Sequence, residues 1–181
     1  HNALSDDRLK IILADGRSHV ALADRKYDVI ISEPSNPWIS GVGALFTDNF
    51  FKLMKKRLNP SGVACIWVHT NMSPMSFKSV ARTFSENFEK VTMWESIVGD
   101  DYLLIGSDSE YKLSYSDVHE VLSDEIRGKD LYRIGISTVR DLMSLLIMNR
   151  EGLLRFSKEA PIHTDDNSLL EFNAPQYIYK D

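Results

Sequence analysis

The feature that most constrains the fold is a pair of short apolar runs, residues 27–32 and 62–68, with a helix-length segment between them. In that segment, residues 45–58, apolar side chains recur at spacings of three and four, which is typical of one face of a helix. Continuous apolar runs are typical of parallel strands that are covered on both faces. The pattern therefore predicts a strand, a crossover helix and a second parallel strand, which is the unit of an α/β fold.

The rest of the first 108 residues continues this alternation. Further strands are predicted at residues 9–14, 90–97 and 102–106. Further helices are predicted at residues 17–24 and 76–88. The link at residues 98–101 is short, so the last two strands should form an antiparallel hairpin. We expect an open, mostly parallel sheet that is closed by this hairpin at its edge.

The pattern changes near residues 108–114, where helical segments replace the alternation. These segments are predicted at residues 116–126 and 138–156, and a polar stretch follows them at residues 163–168. We therefore expect two parts. Residues 1–108 should form a partial α/β domain, and residues 109–181 a helical carboxy-terminal appendage packed on it.

The composition excludes several classes of protein. The net charge of −5 and an even spread of Lys and Arg argue against a nucleic-acid-binding surface. The single cysteine, Cys65, lies in an apolar run and has no partner for a disulfide within the chain, so we interpret it as core filler. No apolar run is long enough to span a membrane, and the first residues lack a signal-peptide pattern. We expect a soluble, cytoplasmic chain.

Acidic residues follow two of the predicted strands, and in open α/β sheets ligands bind at the carboxyl ends of the strands. Asp15 and Gly16 follow the first strand, where the carboxylate could accept hydrogen bonds from an exocyclic amine and the glycine could let a flat ring approach. Asp15 could equally cap the next helix. Glu33 follows the second strand, where it could take a proton from an attacking amine or be a solvated loop acid. His163, Asp165 and Asp166 lie on one polar stretch without a partner cluster, so we interpret residues 163–168 as a solvated loop and predict no metal site.

These residues resemble a known family, the spermidine synthases. The resemblance covers roughly residues 4–106. It rests on Asp15-Gly16 after one strand and on the run 27–33, followed by Asn36-Pro37 and Leu45-Phe46, after the next. It implies aminopropyl transfer from decarboxylated S-adenosylmethionine to a polyamine or another small amine.

The resemblance also implies roles for individual residues. Asp15 and Gly16 stand where the family binds adenine, and Pro34 would lie beside the same nucleotide. The family motif Asp-x-x-Asp-Pro places the catalytic base at Glu33 and an amine-binding residue at Asn36. Trp38 would join Asn36 in holding the amine. The motif here thus has Glu and Asn where the family has two aspartates.

The family fold is a Rossmann-like, class I methyltransferase-like sheet that normally begins with two strands and a glycine-rich loop. This chain has neither before its first predicted strand, so the resemblance implies a truncated sheet, the carboxy-terminal piece of a longer protein, that is inactive by itself. The Glu-Pro-Ser-Asn-Pro-Trp motif resembles the branch that is fused to a membrane-embedded amino-terminal half. Without the two strands, residues 9–14 must either pair with residues 29–32 or leave an exposed edge, which would promote a homodimer.

Two other functions stay open. Ser35-Asn36-Pro37-Trp38 also resembles the amine-binding loop of S-adenosylmethionine-dependent amine methyltransferases, in which an aromatic ring stacks on the target amine. Alternatively, the fold could be a non-catalytic nucleotide-binding or regulatory module. The Glu and Asn at positions 33 and 36 favour that interpretation.

Overall fold

The computed structural model describes residues 3–35, 39–110 and 113–177 as a five-stranded sheet with helices packed on it. The strands are β1 (Tyr27–Ser32), β2 (Leu58–His69), β3 (Lys90–Ile97), β4 (Asp101–Ser107) and β5 (Leu146–Asn149). The helices are α1 (Gly16–Leu22), α2 (Asp48–Arg57), α3 (Pro74–Asn87), α4 (Tyr115–Ser123), α5 (Arg127–Arg133), α6 (Val139–Ser144), α7 (Arg150–Phe156) and α8 (Leu169–Tyr177). Short 3-10 turns cover Ala3–Ser5 and Val42–Phe46.

The predicted strand–helix–strand unit is confirmed. β1 and β2 are parallel, with Ile30 opposite Ala64 and Ser32 opposite Ile66. α2 lies between them in sequence and is capped at its amino end by Thr47. The Thr47 hydroxyl accepts a hydrogen bond from the Phe50 N–H at 3.2 Å. The helix ends in three cationic residues, which complement its dipole.

The core lies on one face of the sheet, where α2 and α3 cover the middle strands. Alternate residues of β2 point into it, and Ala64, Ile66 and Val68 are buried. The largest contributors from the helices are aromatic: Phe51 of α2 and Phe84 of α3 pack edge to face with ring centroids 5.1 Å apart. This packing anchors β1 and β2, the strands whose carboxyl ends carry the candidate site.

The prediction of a mostly parallel sheet is wrong. The strand order is β1-β2-β4-β3-β5, and only β1 and β2 among the described strands are parallel to each other. β4 is antiparallel to both β2 and β3, which confirms the hairpin but places it inside the sheet. The described strands form a Rossmann-like open sheet of mixed direction.

The hairpin is not the edge because the tail adds a strand beyond it. Residues 138–156 were predicted as one helix, but they form α6, β5 and α7. β5 pairs antiparallel with β3, and its Met148 lies opposite Met93 and packs against the core. The open hydrogen-bonding groups of β3 outweigh the helical periodicity of this stretch, since pairing satisfies them and buries apolar side chains.

Residues 9–14 do not form the predicted strand. In this stretch Ile11 is 71% exposed and Leu13 is fully exposed. A strand needs a neighbour for its backbone groups, and among the described residues β1 has only one neighbour, β2. Of the two outcomes expected, the exposed edge is the one observed. Val29 and Ile31 of β1 are accordingly 55% and 70% exposed.

Over the ranges that the structure describes, none of the helices combines the length and the apolar character needed to cross a membrane.

Candidate active site

Glu33 lies directly after β1, at the carboxyl end of the parallel pair, and its side chain is exposed. Pro34 is buried beside it, which fixes where the chain leaves the sheet. Asn36 and Trp38, predicted to bind the amine, lie outside the described residues. β2 runs beyond the end of β1 at the same edge, so His69 ends a strand close to this region. The His69 Nδ1 accepts a hydrogen bond from the Asn71 N–H at 2.7 Å.

Asp15 is the N-cap of α1, one of the two roles that the sequence left open for it. Its Oδ1 accepts a hydrogen bond from the Ser18 N–H at 2.7 Å. Hydrogen bonds from Ser18 hold the pKa of the Asp15 carboxyl below its usual value, so the group stays ionised. The structure thus places a carboxylate at the start of α1, and the cap leaves Asp15 exposed to solvent.

Gly16 is the first residue of α1, and nothing in the folded chain requires a glycine there. Its φ is not in the left-handed region, in contrast to Gly41, Gly99 and Gly135. A Cβ added at Gly16 would have no atom within 4 Å. The space beside this backbone is open, which suits the close approach of a ligand.

The sequence reasoning missed an arrangement in which the carboxy-terminal tail folds back over the chain that follows Glu33. We call residues 163–171 the tail segment and residues 40–49 the site loop. Arg17 of α1 joins the two. Its Nη2 and Nη1 lie 2.5 and 3.0 Å from the Asp165 carboxylate oxygens, and Nη1 also donates to the Ala44 carbonyl at 2.9 Å. The guanidinium lowers the pKa of Asp165.

Glu171 makes a second connection between the tail segment and the site loop. Its carboxylate accepts hydrogen bonds from the Ser40 hydroxyl at 2.8 Å and from the Gly41 N–H at 3.0 Å. Gly41 has φ of 82°, a left-handed conformation that favours glycine. The tail comes so close at Gly43 that a Cβ there would lie 3.3 Å from the Leu170 Cβ and from the Glu171 nitrogen.

His163 makes the third connection and is buried, so the interpretation of residues 163–168 as a solvated loop is wrong at this position. Its Nε2 lies 3.0 Å from the Gly43 carbonyl oxygen. Its backbone N–H donates to the Thr83 hydroxyl at 2.9 Å, and its carbonyl accepts from the Asp48 N–H at 2.8 Å. Burial lowers the pKa of His163. The ring therefore acts as a neutral bridge between the tail segment and the site loop.

A small cavity of about 180 Å³ lies where these elements meet, and Arg17, Thr47, His163 and Asp165 contribute to its walls. The charges are paired across it, since the Arg17 side chain is only 24% exposed and faces Asp165. In the described ranges, no group of three or more His, Cys, Asp or Glu is arranged to hold a metal ion. The arrangement can position polar groups, and Arg17 and Asp165 neutralise each other there.

Comparison with protein families gives a match to the spermine/spermidine synthase domain over residues 1–100. The chain belongs to the spermine/spermidine synthase family. Among curated members, it is 32% identical over 135 residues to polyamine aminopropyltransferase 2 of Hyperthermus butylicus, covering 70% of the chain and 44% of that protein. It is 25% identical over 179 residues to the polyamine aminopropyltransferase of Korarchaeum cryptofilum, covering 91% of the chain and 52% of that protein.

Solved structures of this family have the same fold. A probable spermidine synthase from Corynebacterium glutamicum superposes with a TM-score of 0.56 at 18% identity, over 86% of the chain and 54% of that structure. A spermidine synthase in complex with the transition state analogue AdoDATO superposes with a TM-score of 0.58 at 16% identity, over 86% and 51%. The chain spans about half the length of the curated relatives it matches.

Proposed function

We propose that this chain is part of an aminopropyltransferase that moves the aminopropyl group of decarboxylated S-adenosylmethionine to a polyamine or another small amine. The observation that carries the proposal is Glu33, an exposed carboxylate at the carboxyl end of β1, in a chain that belongs to the spermine/spermidine synthase family. Ligands of open α/β sheets bind at this end of the strands. Both curated relatives described above are named polyamine aminopropyltransferases.

In this proposal Glu33 is the general base. An aliphatic amine is protonated in neutral water, so its ammonium group must lose one proton before the nitrogen can attack, and a carboxylate within hydrogen-bond reach can accept that proton. The amine nitrogen then forms a bond to the carbon next to the sulfonium, the carbon–sulfur bond breaks, and its electrons neutralise the sulfur as methylthioadenosine leaves. The proton remains on Glu33. Asn36 and Trp38 would hold the amine, without a metal.

The nucleotide would lie against the first turn of α1. Asp15 would accept hydrogen bonds from the adenine amino group while it caps the helix, and Gly16 would allow the ring to approach the backbone. Pro34 would lie beside the same nucleotide, since it directly follows Glu33 in the chain. Open space at Gly16 supports this placement, because the fold itself makes no use of it.

We also propose how the chain is organised. Residues 1–108 would be the carboxy-terminal part of a methyltransferase-like domain, and residues 109–181 an appendage that contributes β5 to the sheet and the tail segment to the site loop. The exposed edge of β1, with Val29 and Ile31, would promote a homodimer of the isolated chain. Sedimentation that shows a monomer at high concentration would contradict the dimer.

The test is a product assay on the full-length natural polypeptide that contains this chain, with decarboxylated S-adenosylmethionine and a panel of amines. We expect release of methylthioadenosine that is lost in Glu33→Gln, retained in part by Glu33→Asp, and unchanged in Glu120→Gln, an exposed acid of α4. A displaced base can cost orders of magnitude in rate. Release of S-adenosylhomocysteine from S-adenosylmethionine would favour an amine methyltransferase instead. Nucleotide binding without turnover of either donor would favour a non-catalytic module.

A further inference from the structure

We infer that the tail segment positions the proposed transferase site, with Arg17, Asp165 and Glu171 as positioning residues. This inference rests on the proposed function, because it concerns how the nucleotide side and the amine side of that site are held relative to each other. In the proposed function, these three residues contact neither the nucleotide nor the amine.

The predicted amine-binding residues Asn36 and Trp38 lie in the chain between Pro34 and Ser40. At one end Pro34 is buried directly after β1. At the other end Glu171 holds Ser40 and Gly41 through one hydroxyl and one backbone donor. Hydrogen bonds to an ionised acceptor are about twice as strong as those between neutral groups. Pro34 and Gly41, which come before and after residues 36–38 in the chain, are therefore both held by described contacts, and those of Gly41 come from the tail.

Arg17 links three elements. It belongs to the first turn of α1, next to Gly16, where the nucleotide is proposed to bind. Its guanidinium donates to Ala44 in the site loop and to Asp165 in the tail segment. A planar guanidinium can hold a carboxylate and a carbonyl at the same time, whereas a lysine ammonium lacks this fork. Arg17 thus fixes α1 relative to the site loop, and Asp165 fixes Arg17.

Two carbonyl groups of the site loop are also held. His163 binds the Gly43 carbonyl and Arg17 binds that of Ala44, so consecutive carbonyls are held by the tail segment and by α1. The backbone N–H of Asp165 also donates to the Asn49 side chain at 3.2 Å. The site loop is therefore attached to the tail at several points along its length, beyond the one at Glu171.

The experiment compares two adjacent acids in the intact 181-residue chain. Asp165→Asn removes the charge that faces Arg17, and Asp166→Asn is the matched control, since Asp166 is an exposed neighbour with the same side chain. Amide hydrogen exchange is measured by mass spectrometry on peptides that cover α1 and the site loop, without ligand. In Asp165→Asn we expect both peptides to exchange about three- to tenfold faster than in wild type, as for the loss of a partly buried ion pair. In Asp166→Asn we expect the wild-type exchange rate.

Rescue distinguishes positioning from a general loss of structure. The double variant Arg17→Asp with Asp165→Arg restores the pair with its charges exchanged, so it should recover much of the protection that each single variant loses. If the charge reversal prevents folding, Arg17→Lys replaces the double variant as the test. Exchange of the α1 and site-loop peptides in Arg17→Lys should lie between the wild-type rate and that of Asp165→Asn. Equal exchange in Asp165→Asn and Asp166→Asn would overturn the inference. The inference would also be overturned if exchange became faster in all peptides alike and the double variant did not restore protection.

The same variants separate this inference from the proposed function. Glu171→Gln should speed exchange in the site loop but leave the α1 peptide unchanged, because the hydrogen bonds that the described structure gives the Glu171 side chain go to Ser40 and Gly41 of the site loop. In the full-length polypeptide, Asp165→Asn should lower kcat about tenfold more than it raises KM for the amine. Exchange can follow the expected pattern while neither the wild-type full-length polypeptide nor any variant transfers an aminopropyl group. In that case the proposed function fails, and the role of the tail segment in positioning α1 and the site loop stands. If transfer is intact in Asp165→Asn, the positioning inference fails alone.

Discussion

Replacing Gly16 with alanine separates what the fold requires at this position from what a ligand requires. The backbone of Gly16 is helical and a new Cβ would have no atom within 4 Å, so the folded chain accepts alanine without strain. Alanine also restricts the unfolded chain, which stabilises proteins by about 0.4–1 kcal/mol at compatible sites. For a chain of this size, that gain should raise Tm by roughly 1–4 °C.

Ligand binding should change in the opposite direction. If adenine lies against this backbone, an added methyl group must displace it, and overpacking of this kind costs about 1–3 kcal/mol. The affinity for methylthioadenosine should then fall about 5- to 150-fold. The assays are urea unfolding and isothermal titration calorimetry on wild type and Gly16→Ala, in the full-length polypeptide where the chain alone binds too weakly.

Gly106→Ala is the matched control, because it makes the same substitution where the fold leaves no room. A Cβ at Gly106 would lie 2.8 Å from ring atoms of Phe88 and 2.9 Å from Phe84, so we expect destabilisation of about 1–3 kcal/mol. The reasoning about Gly16 is refuted if Gly16→Ala destabilises the protein as Gly106→Ala does. It is refuted equally if Gly16→Ala binds methylthioadenosine as tightly as wild type.

Three further predictions concern pH and self-association. Burial lowers the pKa of His163 below 6.5, so at acidic pH the unfolded chain binds more protons than the folded chain. The free energy of unfolding should therefore fall as pH drops below about 6.5. His163→Gln should weaken this pH dependence, as measured by urea unfolding. Asp141, whose pKa is lowered to about 2 by hydrogen bonds from Ser137 and Thr138, should stabilise the start of α6 at pH 5 and lose this effect between pH 4 and 2. Circular dichroism of Asp141→Asn should accordingly show less helix than wild type at pH 5 and a smaller difference at pH 2, where about half of the Asp141 carboxyl groups are still ionised. Ile31→Lys should reduce sedimentation-detected association through the β1 edge, and an unchanged dimer would exclude that edge as the interface.

Local pattern was enough to predict the elements that have a strong period and clear ends. β1 and β3 have the predicted bounds, and α2 and α3 differ from the prediction by a few residues at their ends. In each case burial of one face agrees with local propensity, so tertiary contacts did not have to override the chain's own preference. The hairpin of β3 and β4 follows for the same reason, because its short link leaves little choice of partner.

Long-range competition decided the elements that were predicted wrongly. Residues 146–149 have helical periodicity but lie beside the open edge of β3, and pairing with that edge gives them a strand. Residues 9–14 have a strand-like composition but no neighbour to pair with among the described residues, so they stay exposed. Strand formation depends on a partner that local sequence does not reveal.

The candidate site divides along the same line. By itself the sequence identified Asp15, Gly16 and Glu33 as candidate site residues from their places after apolar runs, although only the run before Glu33 forms a strand. The tertiary structure alone decided that Arg17 meets Asp165, 148 positions away, and that Glu171 meets Gly41. Those contacts join segments that are distant in the chain, so they depend on the fold that brings the segments together and not on local pattern.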